Sequence, residues 1–339
     1  MCAVLKAVID NAVHGVQYIW DGNSTTEDWG LFLVDARNAL NKINWFRMLW
    51  TVRHLWPPRA RFVFKCYRHL SSIVLCNVNE TAIFLHSRKG VVQGDPLEMI
   101  AYGISILPLI NNIKQDIPDV TQPWYSDDAG DLGTFTIIET YFNSLTRQGP
   151  GRGYYPKMSK SILIVHPENL KAGKEFGARH GFKVCTGTHY LRGYIKDNDY
   201  KSNWLRECTL AWDKSIDTIS KTAGKYPQES YATVVHEIQS EWIFLQCVTW
   251  YMGDTFTGVE KIILEKCFPR IFFGKTKTLS PIMWDIGTML IKMAGLGLLN
   301  PVALEKEKYL RSQQGITELI QAMTGGGASP NTNHLNTLV

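Results

Sequence analysis

Apolar positions along the chain recur at two spacings, and each spacing predicts a kind of element. Val4, Leu5, Val8, Ile9, Ala12, Val13 and Val16 fall on one helical face and predict an amphipathic helix over residues 3–20. Asp21-Gly22-Asn23-Ser24 predicts a loop after it. Leu31-Phe32-Leu33-Val34 is an unbroken apolar run, the pattern of a strand buried on both faces, and it ends on Asp35. A helix is predicted from Asn38 to Trp50, and Ile73-Val74-Leu75 with Ala82-Ile83-Phe84-Leu85 predicts a β-hairpin turning at Asn77-Val78-Asn79-Glu80. Asp95 suits a helix N-cap, Pro96 the first helical position and Glu98 a capping box, with Pro108 expected to kink or end that helix. Thr134 to Gln148 predicts a helix with Phe135, Ile138, Tyr141, Phe142 and Leu145 inward, and Gly149-Pro150-Gly151-Arg152-Gly153 breaks it. Strands are expected at Ile162–Val165 and, as a short strand or hairpin, at His189–Ile195.

Beyond Asp199 helical patterns dominate: Tyr200 to Ala223, Glu229 to Tyr251 and Gly258 to Phe273, closed by Gly295 to Pro301. The tail from Thr324, with three successive glycines, is expected to be flexible. The predicted organisation is an N-terminal helix over 1–28, a mixed α+β region over 29–198, a helical region over 199–323 and a tail over 324–339.

Composition narrows the picture little: 339 residues, 45% hydrophobic and 20% charged, supply ample core. The distribution of charge says more than the net +5. From Ala36 to Asn79 there is no acidic residue, while Arg37, Lys42, Arg47, Arg53, Arg59, Arg61, Lys65 and Arg68, with His54 and His69, alternate with Trp45, Phe46, Trp50, Trp56, Phe62, Phe64 and Tyr67. Cations for phosphates beside rings that pack or stack on bases form a nucleic-acid-binding composition; a solvated face over core aromatics is the plain alternative. Seven scattered cysteines without zinc spacing predict reduced, intracellular thiols, and no apolar run has the length of a membrane span.

Two acidic features stand out. Asp35 ends a buried strand, where it serves either as an N-cap for the next helix or as a rigidly held metal ligand. Tyr125-Ser126-Asp127-Asp128 sets two carboxylates in a predicted turn, which Asp also occupies for conformational reasons alone. Gln93-Gly94 precedes a helix N-terminus, and Gly94 would let a backbone or ligand approach closely.

In this order, Asp35, Gln93-Gly94-Asp95-Pro96, Tyr125-Ser126-Asp127-Asp128, a lysine after a Gly-rich break and Tyr190-Leu191-Arg192-Gly193 resemble the palm of reverse transcriptases, particularly those of non-long-terminal-repeat retroelements. The resemblance implies an α+β fold: a mixed, mainly antiparallel palm sheet backed by helices, partial fingers and a helical thumb. It implies that Asp35, Asp127 and Asp128 hold Mg²⁺ (or Mn²⁺), that Asn38, Ala39 and Leu40 underlie the incoming deoxynucleoside triphosphate, and that Gln93 and Gly94 position template and nucleotide. Lys160, with Lys157 as the alternative, matches the lysine that protonates leaving pyrophosphate, and Tyr190 to Gly193 match the primer-gripping hairpin. The partners implied are an RNA template and a DNA primer. The chemistry is coherent, because a 3′-hydroxyl must be made nucleophilic and a polyanionic leaving group neutralised.

The sequence departs from the family pattern at Leu40, where an aromatic ring usually screens the sugar 2′ position, at Ser126, often Ala, and at Arg192, often Gly. Only 34 residues precede Asp35. The expectation is an element copy shortened in its fingers, and a catalytically silent remnant that at most binds nucleic acid is the alternative.

Overall fold

The computed structural model describes residues 8–76, 82–91, 94–195, 198–250, 253–275, 279–314 and 316. Val4, Leu5, the 77–80 turn, Gln93 and the tail lie outside the described residues. The fold is α+β, and two compact units divide between Thr186 and Gly187.

The first unit is built on β1 (Trp29–Val34). Its predicted burial on both faces holds: Leu31 and Phe32, which point to opposite faces, are both fully buried. β1 lies at the centre of a five-stranded sheet ordered β4-β5-β1-β6-β7, with β4 (Trp124–Tyr125), β5 (Asp128–Thr134), β6 (Ile162–Val165) and β7 (Lys183–Cys185). All neighbours are antiparallel except β6 and β7. The register pairs Leu31 with Leu132 on one side and with Ile164 on the other.

Helix α1 (Val8–Asn23) packs near this sheet through Trp20, whose ring meets Trp29 edge-on at 5.5 Å. It does not stop at Asp21 as the loop signal predicts: Ile19 and Trp20 are buried, and the Asn23 amide donates to the Ile19 carbonyl at 2.8 Å. The predicted Asn38–Trp50 helix is two helices, α2 (Ala39–Lys42) and α3 (Trp45–Leu55). Asn44 separates them, and its side chain accepts the Arg47 N–H at 3.1 Å, because Asn gains more as a cap than inside a helix. α4 (Pro57–Tyr67) follows, then the hairpin β2 (Ser71–Cys76) and β3 (Ala82–Ser87).

Helix α5 begins at Glu98, not Pro96, and does not end at Pro108 but runs on to Asp116. Burial of Ala101, Tyr102, Ile106, Leu109 and Ile113 outweighs the one backbone bond that Pro108 cannot make. The capping box is displaced accordingly. The Asp95 carboxylate accepts from Leu97 N–H, and Glu98 reaches back to Gly94 N–H, each at 2.8 Å. α6 (Phe135–Gln148) buries the five predicted residues against the same core as Phe32, and α7 (Leu170–His180) packs on β6 and β7.

The second unit contains the hairpin β8 (Thr188–Tyr190) and β9 (Gly193–Ile195), then α8 (Asn198–Thr222), α9 (Pro227–Ala232), α10 (Gln239–Val248), α11 (Thr257–Ile262), α12 (Phe268–Phe273), α13 (Pro281–Thr288) and α14 (Glu305–Gln313). Gly295 to Pro301 does not close it. Leu299 N–H donates to the Gln239 side chain, the Gln246 amide donates to the Pro301 carbonyl, and α14 then packs on α10. No described helix is long and apolar enough to cross a membrane.

Candidate active site

The β1–β5 register decides whether the two acidic features meet. Val34 pairs with Ala129 at the last rung of the ladder, so Asp35 and Asp128, the next residue on each chain, stand at the same end of the paired strands. Strand alternation puts Asp128 on the face of Leu31, opposite Phe32. Tyr125 pairs with Asp128, leaving Ser126-Asp127 as a two-residue hairpin turn. Ser126 adopts φ 54, the positive value such short turns favour at their first position and one that costs a non-glycine residue on the order of 1 kcal/mol. Its hydroxyl faces the Met99 sulfur at 3.6 Å.

Asp35 is not a helix cap. α2 has Asn38 at its N-cap position and α3 has Asn44. The Asp35 backbone carbonyl instead accepts from Lys157 N–H at 2.8 Å, and the Lys160 ammonium lies 3.7 Å from its carboxylate. Of the two lysines considered, Lys160 is thus the one whose ammonium pairs with Asp35. Both partners are substantially exposed, and such a pair contributes about 0–1 kcal/mol to stability.

Asp128 reports the crowding of charge. Asp128 is an exposed residue, yet the protein around its carboxylate removes part of its hydration, and that loss, then the Asp127 and Asp35 carboxylates, pushes its pKa up to about 6. Three carboxylates therefore sit within mutual electrostatic range, with Lys160 beside Asp35. Among the described residues no group of three or more His, Cys, Asp or Glu is gathered into a ready-made metal cage. The donor set nevertheless suits Mg²⁺, which is held by one or two carboxylates together with substrate phosphates.

Beneath the turn lies a group of tyrosines, of which the sequence singles out Tyr141 alone, as an inward position of α6. The Tyr154 hydroxyl donates to the Asp127 backbone carbonyl at 3.1 Å. Tyr102, Tyr141 and Tyr154 are buried, and burial holds all three phenols well above their usual pKa, with Asp127 and Asp128 adding to the effect at Tyr102 and Tyr154. Tyr102 and Tyr154 carry no local signal that would join them to Tyr141.

The remaining candidates distribute as follows. Asn38 is exposed with φ 48, Ala39 is buried, and the Leu40 carbonyl accepts from Val91 N–H. Gly94 is exposed with φ 87, and no atom lies within 4 Å of where a Cβ would be, so its conformation rather than close approach by a described neighbour requires glycine. Arg37 is exposed, its N–H bonded to the Tyr155 carbonyl. Arg47, Arg53, Arg59, Arg61, Lys65 and Arg68 are all exposed on or just after α3 and α4, as are Phe46, Trp50, Phe62 and Phe64. Tyr190 to Gly193 forms the hairpin of the second unit, with Leu191 and Arg192 in its turn at φ 48 and 63.

These features define an α+β protein with a carboxylate cluster at the end of its central strand pair. No protein-family model and no curated protein matches the sequence. Among solved structures, telomerase from Candida albicans in complex with a TWJ fragment of telomeric RNA is similar at 9% identity, with a TM-score of 0.44, over 99% of this chain and 53% of that one. The chain spans about half the length of that telomerase.

Proposed function

We propose that this chain is an RNA-directed DNA polymerase domain of the non-long-terminal-repeat retroelement type, a nucleotidyltransferase that extends a primer 3′ end on an RNA template. The observation that carries the reading is the β1–β5 register, whose last rung pairs Val34 with Ala129 and so brings the Asp35 that follows to the same end as Asp128 and the Ser126-Asp127 turn.

Asp35, Asp127 and Asp128 are the residues that would hold Mg²⁺ or Mn²⁺. When bound, the ions supply the Lewis acidity that activates a 3′-hydroxyl and neutralises a leaving pyrophosphate. Backbone contacts support the placing of the acids, and the other roles are those the resemblance implies. The Lys157 N–H fixes the backbone of Asp35, and Tyr154 fixes that of Asp127. Lys160, beside Asp35, is the proton donor to the leaving group. Asn38, Ala39 and Leu40 form the floor for the nucleotide, and Gln93 and Gly94 align it with the template. Leu40 lacks the ring that would reject a 2′-hydroxyl, so discrimination between deoxy- and ribonucleotides is expected to be weak. The test is primer extension on an RNA template with each nucleoside triphosphate in turn. Incorporation only opposite the complementary base, abolished by Asp127→Asn, supports the proposal; extension that survives the substitution rejects the assignment of the acidic pair.

A second reading, strand binding without turnover, is favoured by the exposed cations and rings of α3 and α4, which need no acid to bind a phosphate backbone. Salt-dependent RNA–DNA hybrid binding without any extension would select it.

A further inference from the structure

Three segments distant in sequence enclose a cleft of about 320 Å³ in the first unit, its walls including Lys42, Trp45, Phe46, Arg88, Lys89 and Tyr155. The enclosure is preformed by backbone contacts. Gly90 N–H donates to the Ile43 carbonyl at 2.8 Å, the Trp45 indole donates to the Gly90 carbonyl, and Asn44 N–H donates to the Arg152 carbonyl at 3.3 Å. Gly153, at φ 90, approaches so closely that a Cβ there would lie 2.0 Å from the Lys42 carbonyl oxygen.

No carboxylate lines this cleft, and among the described residues Lys42, Arg88 and Lys89 have no ion-pair partner. A second pair of like charges adjoins it. The Arg47 guanidinium lies against Gly151, which neighbours the lining residue Pro150, and Arg152 faces loss of hydration together with repulsion from Arg47. Arg152 is anchored from below, donating to the Ser105 carbonyl at 3.2 Å and the Thr51 hydroxyl at 3.4 Å. Confined cations without counter-charges repel one another, and an anion relieves that repulsion. The walls also hold rings: Lys42 stands 4.9 Å over the Tyr155 ring, and Phe46 is 78% exposed although its neighbour Trp45 packs on the core. Cation and open ring together match a nucleotide's phosphate and base.

We propose that this cleft binds a nucleotide unit, its phosphate on Lys42, Arg88 and Lys89 and its base against Phe46. It shares no residue with the carboxylate cluster; it extends the strand-binding reading, to which Phe46 of α3 already belongs, by adding Lys42, Arg88 and Lys89 as the phosphate site. The phosphate-bearing unit has two sources, a single-stranded RNA or a free nucleoside triphosphate. Arg88, Lys89 and Phe46 are exposed, so replacing them leaves the core intact.

The test uses the full chain, an Arg88→Ala/Lys89→Ala double variant and Phe46→Ala. Fluorescence anisotropy measures binding of a labelled single-stranded RNA across a salt series, and competition measures the affinities of ATP and of tripolyphosphate. The double variant is expected to lose about tenfold in RNA affinity and to flatten the log–log salt dependence by about 1.4, the value for two lost single-strand phosphate contacts. Phe46→Ala is expected to weaken RNA binding at least about fivefold through lost stacking while leaving tripolyphosphate unaffected. If RNA binding is unchanged but ATP affinity falls by those factors, the cleft takes the free nucleotide. If both RNA and ATP bind all variants as they bind the parent chain, the proposal is overturned.

Discussion

Tyr154 donates its phenolic hydrogen to the backbone carbonyl of Asp127 at 3.1 Å. The bond holds the acidic turn from beneath, through a residue that reaches no solvent. Tyr154→Phe removes the donor with little change of shape. The expected loss is about 1 kcal/mol of stability, or a fall of a few degrees in the thermal midpoint. A purely structural role ends there. A role in positioning Asp127 also lowers the turnover of primer extension with little change in primer affinity, which single-turnover kinetics separates.

Ser126 occupies the left-handed region inside the same turn. Ser126→Gly releases the steric cost, so the expected midpoint is equal to or slightly above that of the parent chain, because glycine's greater freedom in the unfolded state offsets part of the gain. Ser126→Val, β-branched at positive φ, is expected to lower stability by at least about 1 kcal/mol. Equal midpoints for the two variants would show that the turn does not keep this conformation in solution.

Asp131, on β5 opposite Phe32, is fully buried, and burial drives its pKa up to about 7, against the backbone N–H groups of Thr121 and Leu132 and the Lys114 charge. The folded state therefore holds a proton that the unfolded state, with its carboxyl near 3.8, has released. Stability is greatest below the unfolded value and falls as pH rises towards 7. Asp131→Asn keeps an acceptor for Thr121 N–H and cannot ionise. It is expected to be more stable than the parent chain at pH 8, by on the order of 3 kcal/mol, and indistinguishable from it at pH 4. Denaturant midpoints at the two pH values measure the difference.

The outward cations of α3 and α4 are separable from the acids. Replacing Arg53, Arg61 and Lys65 by Ala should flatten the log–log salt dependence of RNA–DNA hybrid binding by about 2–3, close to one unit per phosphate contact removed. An unchanged slope would make this a solvated face.

Much of this arrangement was legible in the sequence, for identifiable reasons. β1 was visible because an unbroken apolar run records burial on both faces, and α6 because its inward residues keep helical spacing. The acids were recognisable as motifs, but their proximity depends on strand register, which no local pattern encodes. Local signals misled where packing overruled them, as at Pro108, which does not end α5, or where a polar residue found a better use, as Asn44 did between α2 and α3. α7 and β7 had no assignment because α7 has a sparse apolar stripe interrupted by Gly173 and Gly177, and β7 is three residues long. The basic cleft was invisible for the same reason as the tyrosines: Lys42, Lys89 and Tyr155 meet only in the folded chain.

The central claim is that Asp35 and the Asp127-Asp128 turn form one catalytic centre. Single-turnover extension of a DNA primer on an RNA template in Mg²⁺, comparing the parent chain with Asp35→Asn and Asp127→Asn, tests it most directly. The predicted result is template-dependent extension by the parent chain and a loss of at least about a thousandfold in each variant, with hybrid affinity preserved. Extension by either variant at the parental rate, or no extension by the parent chain in Mg²⁺ or Mn²⁺ while hybrid binding persists, would contradict it.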